Sequence, residues 1–271
     1  MDNPITVYIT TCDANMFVLK YFQYFFNKYW GKHMKVKILG FNHPDFPLAD
    51  NFEFISLGTE QIGGASGWSN YLIDYFNNID DEFILFGIDD FMIARPVDEE
   101  AYHTCLALLD NKTGRIDLQC SLQYARNPQH TMPYKTKNGI DFLVMAQSVP
   151  GVNLYQNSGA FSIWNRKWFL KNIQNNWSPW DWETKGSSLA NNDGFNIAGA
   201  VNRWPIRKLE LLSNVGWPGV LNVRGIRDED LDEMKKLRGI NDRVRQFEKI
   251  MDDKWGYDVL GSKWIDVIYG K

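Results

Sequence analysis

The chain has 271 residues, 23% of them charged and 44% hydrophobic, which suits one large soluble α/β domain with a small appendage. A net charge of −4 leaves no electrostatic footprint for nucleic acid, and the three cysteines, Cys12, Cys105 and Cys120, lack the paired spacing of a disulfide framework or a zinc site. They fit a reducing compartment, no basic segment followed by a long apolar run opens the chain, and no apolar run reaches bilayer length. The expectation is therefore a cytoplasmic protein, at most peripheral at the inner membrane face. Aromatic content is high at 15%, with 11 Trp. Most of these belong in a core, but several fall in polar loops where they could stack on a sugar or a base.

Residues 5–10 (ITVYIT) are β-branched and aromatic and read as a first strand. Thr11-Cys12-Asp13 is a polar turn, with Asp13 placed to cap a helix that begins near Ala14 and carries Val18, Phe22, Phe25 and Tyr29 at helical spacing. Gly31 ends it. Residues 36–40 and 52–57 are the next strands, and the segment 58–67 holds four glycines without the Lys or spacing of a phosphate loop. Trp68, Leu72, Tyr75, Phe76 and Ile79 mark a helix to Asn78. Ser69 and Asn70 fall in its first turn, where outward N–H groups suit a diphosphate or a sugar hydroxyl, although the same residues serve equally as caps.

Residues 82–93 (EFILFGIDDFMI) form a buried strand that ends in two adjacent carboxylates, Asp89 and Asp90. Carboxylates at the carboxyl end of a central strand sit where open α/β sheets bind ligands, and such hard oxygens suit Mg²⁺ or Mn²⁺ held with substrate phosphates. From the pair alone, a solvated Asp-Asp turn reads the same way. Pro96 to Glu100 then opens a helix, and residues 115–120 (RIDLQC) are a strand. The polar segment 121–140, with His130, is a long irregular stretch of the kind that covers an active site, and His130 is read as a solvated loop residue.

Residues 142–149 and 158–164 are further strands, followed by a helix over 166–173. Trp177-Ser178-Pro179-Trp180-Asp181-Trp182-Glu183 places three Trp and two acids at a helix start. Residues 191–194 are a turn, and 206–212 and 219–223 the last strands, ending at Arg224. From Arg224 to Lys254 the chain is densely charged, with Ile240, Val244, Phe247 and Ile250 at helical spacing. This predicts a C-terminal helical appendage over 226–271, solvated on its outer face, with a membrane or partner contact as the minority reading. Alternating strands and helices in the first 120 residues argue for a mainly parallel sheet with helices on both faces, in a domain over 1–225.

Taken in order, Gly67-Trp68-Ser69-Asn70, Ile88-Asp89-Asp90, residues 161–170, residues 178–183 and Asn222-Val223-Arg224-Gly225 resemble GT-A-fold glycosyltransferases of bacterial and phage type, over roughly residues 5–225. The chain departs from the commonest acidic motif at position 88, where Ile stands in place of an acid. The resemblance implies a hexosyltransferase-like enzyme with a GT-A-like α/β fold and a nucleotide-sugar donor of the UDP or GDP type. It also implies a divalent cation, Mn²⁺ or Mg²⁺, on Asp90 with Asp89. Thr10, Thr11 and Asp13 would meet the base and ribose, and Trp68, Ser69 and Asn70 the side of the same cleft, with Asp89 on the donor and Arg224 on the leaving diphosphate. A glycan or lipid-linked acceptor would enter from residues 121–160 and 177–193. An acid at a helix start, Asp181 or Glu183, would be the catalytic base, with Asp141 and Asp193 as rivals. Two alternatives stand beside this reading. One is a sugar nucleotidyltransferase, against which no Gly-rich, Arg- or Lys-bearing loop follows the first strand. The other is a non-catalytic sugar-binding module.

Overall fold

The computed structural model describes residues 5–119, 131–145, 156–190, 193–210 and 227–237. Its first half is built from consecutive strand–helix units. Strand β1 (Val7–Thr10) is buried on both faces, which is why its sequence is an unbroken apolar run rather than an alternation. Helix α1 (Val18–Tyr29) buries Val18, Phe22, Phe25 and Tyr29 and stops at Gly31, whose φ of +92° suits a residue without a Cβ. Strands β2 (Val36–Gly40) and β3 (Phe52–Ser56) follow, then helix α2 (Trp68–Asn77) and strand β4 (Phe83–Ile88). β1 pairs in parallel with β2 on one side and β4 on the other. Val7, Ile9 and Leu85 face α1, while Tyr8, Ile84 and Phe86 face α2, so each face of the sheet carries its own core.

The second half is less regular. Helix α3 (Glu99–Leu106) is capped by the Asp98 side chain and leads to β6 (Thr113–Asp117). Strand β9 (Ser162–Asn165) inserts antiparallel between β4 and β6. Beyond β6 lie β10 (Asn196–Ala200), parallel to it, and a hairpin of β8 (Ile140–Met145) and β7 (Thr131–Lys137). The sheet order is β3-β2-β1-β4-β9-β6-β10-β8-β7, and the pairings leave seven of the nine strands pointing one way, with β9 and β8 reversed. This is a mixed, mostly parallel sheet flanked by helices. Helix α4 (Arg166–Lys171) follows β9, and a continuous helical run over 179–189 comprises α5 (Pro179–Asp181), a π-helical stretch over Trp182–Gly186 and α6 (Ser187–Leu189).

Several expectations need correction. The stretch 82–93 is two strands: β4 ends at Ile88, and β5 (Phe91–Ile93) leaves the main sheet to pair with β11 (Lys208–Glu210). Within the segment expected to be irregular, residues 131–137 form an edge strand. β10 was not anticipated at all, because Ile197 is its only β-branched residue and Ala198-Gly199-Ala200 are small residues that give no strand pattern. Residues 158–161 are not strand; they complete an arch that delivers the chain to β9. Asp13 does not cap α1, which starts later. Its carboxylate instead accepts hydrogen bonds from the Asn42 backbone (3.1 Å) and side chain (2.6 Å). Of the appendage, helix α7 (Asp228–Leu237) is described and docks on α1, where buried Asp230 accepts hydrogen bonds from Tyr24, Lys28 and Tyr29. His130, Cys120, Arg224 and the expected strand at 219–223 lie outside the described residues.

Candidate functional site

A cleft of about 490 Å³ opens where β1 and β4 end side by side. Because Thr10 pairs with Ile88, the next residues, Thr11 and Asp89, meet across the strand ends: Thr11 Oγ1 donates to Asp89 Oδ2 at 2.5 Å, and Asp89 N–H donates to the Thr10 carbonyl. Asp89 is only 4% exposed. Burial, and then the charge of Asp90 beside it, push its carboxyl up to about 8, against the opposing pull of the Thr11 hydrogen bond. A cation would relieve both of the raising causes. Among the described residues no group of three His, Cys, Asp or Glu forms a cage made of protein alone. Two adjacent carboxylates opening on a cleft instead fit Mg²⁺ or Mn²⁺, which commonly binds through one or two carboxylates while substrate oxygens complete the shell.

Thr10, Thr11, Asp13, Trp68, Asp89, Asp90 and Glu183 all line this cleft. Trp68 Nε1 donates to Thr10 Oγ1 at 3.2 Å, and its ring lies 5.6 Å from that of Trp182, which tightens the inner wall. Ser69 and Asn70 do not line it. Ser69 Oγ accepts from Trp177 N (2.8 Å), Ser69 N donates to the Trp177 carbonyl, and the Asn70 side chain accepts from Asn176 N at 2.7 Å and donates to Asn176 Oδ1 at 3.1 Å. A segment from far along the chain thus occupies the Ser69 N–H and the side chains of Ser69 and Asn70.

The two acids of the helical run part company. Ser178 and Asp181 form a reciprocal capping box, and the other Asp181 oxygen pairs with Lys185 at 2.7 Å. Lys185 and then Ser178 hold the Asp181 carboxyl down, to about 2, and it does not line the cleft. Glu183 does, and its Oε1 accepts from the backbone N–H of Gly159 at 2.7 Å. The backbone widens to π geometry at this point, in the kind of bulge that recurs at functional sites. Trp182 is buried, whereas Trp180, 66% exposed, stands at the cleft mouth. The rival acids are occupied elsewhere: Asp141 accepts from Thr136 on the outer hairpin, and Asp193 from Trp168 Nε1 and Lys171.

Two residues of the site carried no recognised signal in the sequence. Gly159 joins its walls, since its carbonyl accepts from Ile88 N at 3.2 Å while its N–H holds Glu183. A Cβ there would fall 2.4 Å from Ile88 Cδ1, so any larger residue would have to displace the Ile88 side chain. Arg115, 1% exposed within β6, lies behind this joint. With Asp117 and Gln119 it makes an alternating polar stripe that a pattern reading assigns to solvent, yet all three are buried. Burial pulls the Arg115 guanidinium down, opposed by the charges of Asp117 and Glu183.

No protein-family profile and no curated protein matches the chain. No helix among the described residues is long and apolar enough to cross a membrane. Solved structures of similar backbone include S. aureus TarS 1–349, at 11% identity and a TM-score of 0.47, covering 98% of this chain and 81% of that one. They also include the galactosyltransferase LgtC in complex with donor and acceptor sugar analogs, at 11% identity and a TM-score of 0.43 over 71% of this chain and 73% of that one. A third is the bifunctional glycosyltransferase WbbM, at 8% identity and a TM-score of 0.41 over 73% of this chain and 39% of that one. These are distant likenesses of backbone, and any functional reading has to stand on the cleft itself.

Proposed function

We propose that the chain is a glycosyltransferase that moves a sugar from a nucleoside-diphosphate donor to an acceptor hydroxyl. One observation carries this reading: a single cleft at the ends of two parallel strands has adjacent carboxylates at its floor and a backbone-held carboxylate, Glu183, on another wall. On this reading Thr10, Thr11 and Asp13 bind the base and ribose, and Asp89 and Asp90 hold Mn²⁺ or Mg²⁺ against the diphosphate. When bound, such an ion neutralises charge on the departing nucleoside diphosphate. Glu183 takes the proton of the acceptor hydroxyl as that oxygen bonds to the anomeric carbon and the sugar–phosphate bond breaks. Exposed Trp180 offers a face on which a sugar ring can stack, which favours a glycan or lipid-linked glycan acceptor. Arg224 is assigned to the leaving diphosphate from the sequence resemblance.

The test is a thermal-shift screen of UDP and GDP with and without Mn²⁺, because a ligand that binds only the folded chain raises its apparent stability. A Mn²⁺-stimulated shift that Asp90→Asn removes is expected. Equal shifts in both proteins contradict the metal assignment. Diphosphate released from a nucleoside triphosphate, with no nucleoside diphosphate released from a nucleotide sugar, points to the nucleotidyltransferase instead.

A further inference from the structure

The arch over residues 156–160 connects the two chemical walls of the cleft. At its crest Gly159 holds Ile88, the residue before Asp89, through its carbonyl and Glu183 through its N–H. Its flank is sewn to the helical run: Asn157 Nδ2 donates to the carbonyls of Asn172 (3.1 Å) and Trp182 (3.2 Å), and Asn157 N donates to Ser187 Oγ, which donates onward to the Glu183 carbonyl. Its two feet rest on one side chain. Arg115 Nη1 donates to the Gln156 carbonyl at 2.9 Å, and Nε donates to Ser162 Oγ at 2.9 Å, which in turn donates to the Ala160 carbonyl at 3.0 Å. The guanidinium lies 5.2 Å from the ring centre of Trp164, and Nη2 is 3.8 Å from Asp117.

We propose that Arg115 is a positioning residue for Glu183: by gripping both feet of the arch it fixes the Gly159 N–H that aims the carboxylate. Its catalytic consequence rests on the transferase reading, whereas the positioning itself rests on the geometry alone. Burying a guanidinium is costly, and a hydrophobic residue would fill this space between sheet and helix more cheaply. What the arginine adds is a rigid fork that donates in two directions while stacking on a ring, which the single ammonium of lysine does not supply. A misplacement of about 1 Å at a reacting group can lower a rate by roughly 10²-fold, so the aim of Glu183 is the quantity under control.

The experiment has two arms on Arg115→Met and Arg115→Lys, with Glu183→Gln as partner. In the first, serine labelled with ¹³C at its carbonyl and glycine labelled with ¹⁵N select only Gly67 and Gly159, the two glycines that follow serine. Glu183→Gln moves the Gly159 amide resonance and leaves Gly67 in place. Arg115→Met is expected to move Gly159 toward its Glu183→Gln position, and Arg115→Lys part of the way. A Gly159 resonance at its wild-type position in both Arg115 variants overturns the proposal whatever the enzyme does. In the second arm, Arg115→Met lowers turnover roughly 10- to 100-fold with nucleoside diphosphate affinity nearly unchanged, and adds no further loss in the Glu183→Gln background. Equal losses in both backgrounds mean a merely structural role and overturn the proposal. Should the Met variant fail to fold, the Lys variant carries both readouts. If wild type releases no nucleoside diphosphate from any nucleotide sugar, the transferase reading fails, and the Gly159 amide still decides the positioning claim.

Discussion

In the half of the sheet centred on β1 and β4, these two strand interiors are apolar and polar side chains gather after the last strand residue, at Thr11, Asp89 and Asp90. In the half around β6 and β9, the charges sit inside the strands: Arg115 and Asp117 are 1% and 0% exposed, with Ser162 beside them. The first half follows from chain-local strand–helix units, and its polar groups open on the cleft. The second half is held by contacts between distant residues, and its polar groups face other protein groups and shape an arch. Substitutions at strand ends should therefore change binding with little cost in stability, whereas substitutions in the polar strand interior should cost stability first.

The largest expected effect is Asp117→Ala, which removes the carboxylate beside a buried guanidinium and should lower unfolding free energy in urea by about 3 kcal/mol. A loss below about 1 kcal/mol would erase the contrast between the halves. A buried charge away from the cleft serves as a control. Burial opposes the charge of Asp230, but hydrogen bonds from Lys28, Tyr29 and Tyr24 outweigh it and hold the carboxyl below its ordinary range. A depressed folded-state pKa gives stability that is present above the unfolded value of ~4 and lost as pH falls through the folded one. Asp230→Asn should therefore destabilise at neutral pH by roughly 2 kcal/mol and flatten the acid limb of the stability curve, while nucleotide binding is unchanged.

Ser178→Ala removes the cap of the helical run and should cost about 1 kcal/mol. Asp90→Asn should reverse the sign: it relieves repulsion on buried Asp89, so the ligand-free fold should be at least as stable as wild type while Mn²⁺-stimulated nucleotide binding is lost. A marked destabilisation there would show that the strand end serves the fold rather than a ligand. The smallest stability effect belongs to Trp180→Ala, within about 0.5 kcal/mol for so exposed a side chain, and its signature should be a raised KM for the acceptor.

The same contrast explains what could be read in advance. β1, β2 and α2 were legible within a residue or two, and α1 and β4 in kind though not in bounds, because parallel strands buried on both faces, and a helix packed against them, leave continuous or periodic apolar runs. β7 was hidden by Pro133 and its exposed polar positions, which an edge strand tolerates, and β10 by its small residues. At the cleft, Asp89 and Asp90 were legible from their place at a strand end. Ser69 and Asp181 do not line the cleft, because Trp177 and Lys185 claim their polar groups, and Asp13, which does line it, is bonded by Asn42 instead of capping α1; nothing local reveals such partners. Arg115 and Gly159 acquire their roles only through contacts across 41 and 24 residues of chain, respectively.

The most direct test of the account is nucleoside diphosphate release from UDP- and GDP-sugars, measured at saturating donor and acceptor for wild type, Glu183→Gln and Asp181→Asn. The account predicts release by wild type, a loss of roughly 10²-fold or more in Glu183→Gln with nucleotide affinity unchanged, and near-wild-type turnover in Asp181→Asn. Full turnover in Glu183→Gln, or no release by wild type from any nucleotide sugar, would contradict it.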